Sequence, residues 1–330
     1  MGRVRVFWRN GARLTGGARG LKVVVVSAAV AVAAVSLMGA RRAGGAPVPV
    51  GGGEPGTAVG YHVSAAEQRA ALAYWTPARM AAAQATAVPQ VATAQNGKMA
   101  KKIPKSVHFA GVPTVGALFS TTGSKAHFCS ASVVDSPVGD IIVTAAHCVD
   151  GNGFGKNIAY APEYHNKLLP YHMWAVQGIY VWKTWQTKHD INMDVAFLTV
   201  SPLDGREIQA VTGGLRAGFM LGYLQTIEVI GYNDTDSEPS RCLTNSFKFT
   251  TNQMEFYCTG YWTGTSGGPW IIGYNGKTGS GTVFGVIGGY ERGGDTNWAS
   301  YSSFFGVDPR DLLEVAEKAA AAPASPGSTG

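Results

Sequence analysis

Residues 114–146 read TVGALFSTTGSKAHFCSASVVDSPVGDIIVTAA. Three β-rich runs, TVGALFS, HFCSASVVD and DIIVTAA, are parted by short stretches holding Gly, Ser and Pro, residues that turn a chain. The same texture continues downstream in VQGIYVW, DVAFLTV, TIEVIGY, SFKFTT, PWIIGY and TVFGVIGG. Short strands at close spacing, with no helical period between them, predict an all-β sandwich or barrel. A parallel α/β sheet is disfavoured, because the crossover helices it requires are missing. One helix is expected at the far end, in DPRDLLEVAEKAAAA, capped by Asp308 and opened by Pro309.

The chain has 330 residues, of which 45% are apolar and 15% charged, and its 44 glycines follow no collagen period. It therefore reads as one large globular domain with appendages. The formal charge is +6, yet 8 of the 27 Lys and Arg fall in residues 1–42, where there is no acid. Another six fall in residues 43–106 against two acids, so the body that follows is net acidic. A groove that tracks phosphates would have to lie in that body, so no nucleic-acid partner is expected.

From Lys22 to Ala40 the chain reads KVVVVSAAVAVAAVSLMGA, preceded by Arg3, Arg5, Arg9, Arg13 and Arg19. A basic start, an apolar core and small residues at Ala40 and Ala46 predict an export signal in residues 1–42. The alternative is an uncleaved anchor with the rest of the chain outside, the only membrane association expected. Either way the body is extracellular, where Cys129, Cys148, Cys242 and Cys258 can oxidise. No C-x-x-C pair occurs among them, which argues against a zinc or thioredoxin-type site.

Residues 43–106 form a leader richer in Ala, Gly, Pro and Gln. Within it Ser64 and Glu67 make a capping box ahead of AALAYW, and Thr76 with Pro77 starts a second short helix. Two readings stand open: a linker, or a propeptide that assists folding or delays activity. The body is expected over residues 107–318, with a flexible tail over 319–330.

The segment GTSGGPW, Gly264–Trp270, carries the chemistry. A serine hydroxyl is a weak nucleophile at neutral pH and needs a base, an acid to orient that base, and donors for the oxyanion. The nucleophile elbow of an α/β-hydrolase is excluded, because there the histidine follows the serine. Here the last histidine, His189, precedes Ser266. Upstream, His147 closes an apolar run in VTAAHC, and Asp194 opens another in NMDVAFLTV. Asp190 is the rival acid, disfavoured because no apolar run follows it directly.

TAAHC, DVAFL and GTSGGP, in the order His, Asp, Ser, resemble the three signature segments of the trypsin/chymotrypsin-like serine peptidases. The YWTPARM leader together with GTSGGPW is similar to secreted members from actinobacteria. The resemblance implies two antiparallel β-barrels with the site between them, the first carrying His147 and Asp194 and the second Ser266. It implies a secreted endopeptidase acting on protein or peptide substrates, with Ser266 as nucleophile, His147 as base, Asp194 as its orienter, and the N–H groups of Gly264 and Ser266 as oxyanion hole. It also implies a Cys129–Cys148 bridge, which leaves Cys242 for Cys258. No metal or organic cofactor and no second subunit is expected. A catalytically silent binding or adhesion protein on the same scaffold is the alternative.

Three positions depart from the family pattern. Thr265 stands where an aspartate would pair with a freed N-terminus. Gly260 stands where a basic-specific member has an aspartate, so a neutral pocket of Gly260, Tyr261, Gly288 and Gly289 is expected. Gly288 replaces a serine that would hydrogen-bond the orienting acid, which leaves Asp194 less restrained. His62, His108, His127, His165, His172 and His189 are expected to have ordinary packing roles.

Overall fold

A computed structural model describes residues 48–50, 57–83, 103–151, 153–234 and 236–322. The expected export signal, its cleavage positions and the end of the tail lie outside the described residues. Among the described residues no helix is long and apolar enough to cross a membrane.

The described chain opens with β1 (Val48–Val50) and β2 (Ala58–His62), then α1 (Ala65–Tyr74) and α2 (Pro77–Ala82). Ser64 caps α1 in a full capping box with Glu67, and Thr76 caps α2 with Pro77 in its first turn. After the two-residue β3 (Val107–His108) come β4 (Val115–Thr122), β5 (Lys125–Asp135), β6 (Ile141–Thr144), β7 (Lys156–Pro162), β8 (Trp174–Trp182) and β9 (Ala196–Val200). These six close on themselves in the order β4, β5, β6, β9, β8, β7 and back to β4. Closure encloses Leu118, Val133, Ile142, Tyr160, Ile179 and Leu198. Burial of each such side chain contributes about 1.5–3 kcal/mol.

Two helical turns, α3 (Lys183–Lys188) and α4 (Ile208–Thr212), interrupt the strands. The sequence gives no sign of them, since five or six residues are too few for a helical period to register. Then β10 (Leu215–Ala217) runs parallel to β5 on one side and to residues 282–283 of the second barrel on the other. That second barrel comprises β11 (Thr226–Gly231), β12 (Ser240–Lys248), β13 (Gln253–Tyr257), β14 (Pro269–Asn275), β15 (Ser280–Val286) and β16 (Ala299–Ser303). Its ladder runs β15, β14, β11, β12, β13, β16. The Gly288 N–H donates to the Tyr301 carbonyl at 2.9 Å, and the Val286 N–H to the Ser302 hydroxyl at 3.0 Å, which bring the two ends of the ladder together. Its core packs Phe256 edge-on against Trp270, centroids 4.9 Å apart, with Val229, Met254 and Phe284 around them.

The expected two-barrel, all-β architecture with a terminal helix is therefore present. One boundary differs. α5 spans Val307–Ala321 with Gly306 at its cap and no side-chain cap bond, so Asp308 lies in the first turn rather than at the cap. There its charge still faces the positive helix end.

Candidate active site

His147 sits in a single 3₁₀ turn, Ala146–Cys148, directly after β6. The Cys129–Cys148 disulfide fastens that turn to β5. Asp194 follows another 3₁₀ turn, Ile191–Met193, at the head of β9. Because β6 and β9 pair antiparallel with Thr144 opposite Ala196, the two residues emerge side by side from one end of the barrel. The His147 Nδ1 lies 2.8 Å from Asp194 Oδ2, and the His147 backbone N–H donates to Oδ1 at 2.9 Å.

Asp194 is fully buried. Burial by itself would raise its pKa, but the charge and hydrogen bonds of His147 and the N–H of Gly289 outweigh it and hold the carboxyl below the ordinary 3.8. An ionised carboxylate only accepts, so Nδ1 carries a proton, and in the neutral imidazole Nε2 is then the acceptor. Asp194 is not less restrained for having Gly288 beside it. The Gly289 N–H donates to Oδ2 at 2.7 Å and takes the place of the missing hydroxyl. Asp190 has a different task, since its side chain accepts from the Asn192 N–H and caps the 3₁₀ turn.

Ser266 comes from the second barrel, on the loop between β13 and β14. That loop is pinned to the first barrel by Ser130 of β5. The Ser130 N–H donates to the Ser266 carbonyl at 2.7 Å, and its hydroxyl donates to the Gly264 carbonyl at 3.1 Å and accepts from the Tyr232 N–H at 2.9 Å. The approach is close enough that a β-carbon on Gly267, at φ +79°, would lie 2.1 Å from the Ser130 carbonyl oxygen. Gly264, at φ +101°, is equally confined, since a β-carbon there would meet the Tyr232 carbonyl at 2.7 Å. Among the described residues no acceptor takes the N–H of Gly264 or of Ser266. Both residues border the cleft, so both donors are available to a bound oxygen.

His147 and Ser266 line the same cleft, together with His127, Phe128, Trp262, Ile287 and Arg292. In this conformation the Ser266 hydroxyl donates to the Arg292 carbonyl at 3.5 Å, not to the imidazole. Arg292 belongs to a turn in which it and Glu291 are left-handed, at φ +54° and +51°. Of the four residues expected in the pocket, only Tyr261 borders this cleft; Gly260, Gly288 and Gly289 do not. Ser106 packs on Gly260, and Gly289 backs onto Gln253. The cleft wall instead carries Trp262, Thr263, Glu291, Arg292 and Thr296. His127 also reaches it, beyond the packing role expected of it.

Thr265 is buried, and its hydroxyl donates to the Trp262 carbonyl at 2.8 Å, so this loop is held without an ion pair. Ser130 and Gln253 also hold the site, and nothing in the sequence marks them. Gln253 donates to the Ile191 carbonyl and accepts from the Tyr290 N–H, joining the Asp194 turn to the Arg292 turn. Neither stands in a segment with a chemical signature. Both disulfides form, Cys129–Cys148 and Cys242–Cys258. Cys129, His147 and Cys148 also cluster as candidate metal ligands, but the bridged sulfurs offer no thiolate.

The sequence model described as Trypsin matches residues 105–305. Among solved structures, the protease Anisep from Arthrobacter nicotinovorans is 22% identical, with a TM-score of 0.58 over 64% of this chain and 99% of its own. The thermostable serine protease AL20 from an extremophilic microorganism is 23% identical, with a TM-score of 0.56 over 64% of this chain and 98% of its own. A Glu endopeptidase is 14% identical, with a TM-score of 0.52 over 65% of this chain and 97% of its own. No curated protein matches the chain.

Proposed function

The chain belongs to the trypsin family of serine endopeptidases, and on that premise we propose that it hydrolyses peptide bonds through Ser266, His147 and Asp194. The observation that carries this reading is the buried Asp194, which holds His147 by two hydrogen bonds beside the cleft that Ser266 borders. The hydroxyl leaves the Arg292 carbonyl, a contact at the outer limit of a hydrogen bond, and turns to Nε2 of His147. It attacks the peptide carbonyl as Nε2 takes its proton. The developing oxyanion is met by the N–H groups of Gly264 and Ser266, each worth about 3–4 kcal/mol. The imidazolium, stabilised by Asp194, passes the proton to the leaving amine, and water resolves the acyl-enzyme by the same route.

The protein acts as an exported monomer. Its basic and apolar N-terminal segment supports export, as do two disulfides, which persist in an oxidising compartment. It is made as a zymogen, matured by a cut in the chain ahead of the body.

A fluorophosphonate probe tests the assignment. The mature protein should be labelled at Ser266, and Ser266→Ala should abolish both labelling and casein hydrolysis. Folded, doubly disulfide-bonded protein that takes no label would instead be a silent binding protein.

A further inference from the structure

Residues 57–83 are built into the wall of the first barrel. β8 is longer than its neighbours. On one side it pairs with β7 only at Trp174 and Ala175, and β2 takes over from there, Ala58 opposite Trp182 through to His62 opposite Gly178. The ladder extends at both ends: the Lys183 N–H donates to the Thr57 carbonyl and the Val63 N–H to the Gln177 carbonyl, each at 2.8 Å. Without β2, residues 178–182 would present a bare strand edge.

Past β2 the segment buries Ala71, Trp75, Met80 and Ala83, all at most 5% exposed. The Trp75 indole N–H donates to the Asn157 carbonyl at 2.5 Å. Its ring lies 5.1 Å from Phe119, which meets Phe128 edge-on at 5.3 Å. Phe128 borders the catalytic cleft, so the segment buttresses one wall of the cleft from behind. No residue of 57–83 borders the cleft itself. No disulfide ties the segment down, since both bridges lie between Cys129 and Cys258.

We infer that residues 57–83 are a permanent structural part of the active enzyme, and that after the chain is opened between residues 84 and 102 they stay on the β8 edge as a separate, non-covalently bound chain. The surface is the β8 edge with the Phe119 hollow, and its partner is this protein's own leader, held by strand addition and a tryptophan anchor. The inference rests on the proposed maturation only for the cut itself. It does not depend on the serine chemistry.

The test places a site-specific protease sequence within residues 84–102 of the full chain, cuts after folding, and follows both pieces by gel filtration and native mass spectrometry at micromolar concentration. The pieces should travel together one to one and part only in denaturant. In the cut protein Trp75→Ala should raise the fraction of free leader at least tenfold. Separation of the unmutated pieces in native buffer would overturn the inference, as would equal retention of the Trp75→Ala leader. Probe labelling of Ser266 is read separately, so an inert serine leaves the binding result interpretable.

Discussion

The Ser130 hydroxyl donates to the Gly264 carbonyl at 3.1 Å, a bond between the barrel that carries His147, the proposed base, and the loop that carries Ser266, the proposed nucleophile. The two residues are 134 positions apart, and the same hydroxyl accepts from the Tyr232 N–H. One small side chain therefore sets the height of the proposed oxyanion donors against His147.

Ser130→Ala strands a buried N–H and a buried carbonyl, which costs about 1–3 kcal/mol. It also frees Gly264 to shift, and kcat should fall roughly 10- to 100-fold with KM little changed. Ser132→Ala is the control. That hydroxyl, two residues along the same strand, is buried with no hydrogen-bond partner among the described residues. Urea melts and peptide-substrate kinetics on both variants check the contrast; equal losses would dismiss the role given to Ser130.

Asp194→Asn removes the negative charge that fixes the Nδ1–H tautomer, and kcat should drop on the order of 10⁴-fold. The native carboxyl titrates below its ordinary 3.8, so its ionisation stabilises the fold above that pH, and the benefit is lost as pH falls through the lowered native value. The stability gap between wild type and Asp194→Asn should accordingly be widest near neutrality and shrink in acid. Urea midpoints at pH 7 and pH 3 measure it.

Asp140 behaves in the opposite sense. Burial pushes its carboxyl up to about 6, the Ile208 N–H pulls against that, and Glu207 adds to it. Its stabilising contribution is full below about 3.8 and is lost as pH rises through about 6. Asp140→Asn, which keeps an acceptor for the Ile208 N–H, should flatten the pH dependence of the denaturation midpoint between pH 4 and pH 6. An unchanged slope would refute it.

The two disulfides close loops with separations of 19 and 16 residues, so removing either should cost about 3 kcal/mol. Their effects on rate should diverge. Cys129→Ala/Cys148→Ala loosens the turn that holds His147 and should lower kcat, whereas Cys242→Ala/Cys258→Ala should reduce thermal stability with kcat nearly kept. Melting temperatures and active-site titration of both pairs decide this.

Local order along the chain made much of this legible. Short β-rich runs bounded by turn residues announced β4, β5, β6 and β9, and cap residues announced α1 and α2, because strand composition and capping act within a few neighbours. His147, Asp194 and Ser266 could be picked out because each sits in a short segment of marked composition. The polar strand β16, reading ASYSS, gave no such sign, since its burial comes from the barrel around it rather than from its own apolar content.

The sequence by itself determined the strand-rich class, the order of the three residues proposed to react and the cysteines available for bridging. Only the tertiary structure decided that Ser130 and Gln253 hold the site together, that Gly289 replaces a missing hydroxyl at Asp194, that the cleft wall is Trp262, Glu291 and Arg292, and that β2 completes the first barrel. The reason is physical. A strand's composition and a helix cap are written in adjacent residues, whereas a hydrogen bond between barrels depends on how far two closed sheets approach, and no single segment encodes that distance.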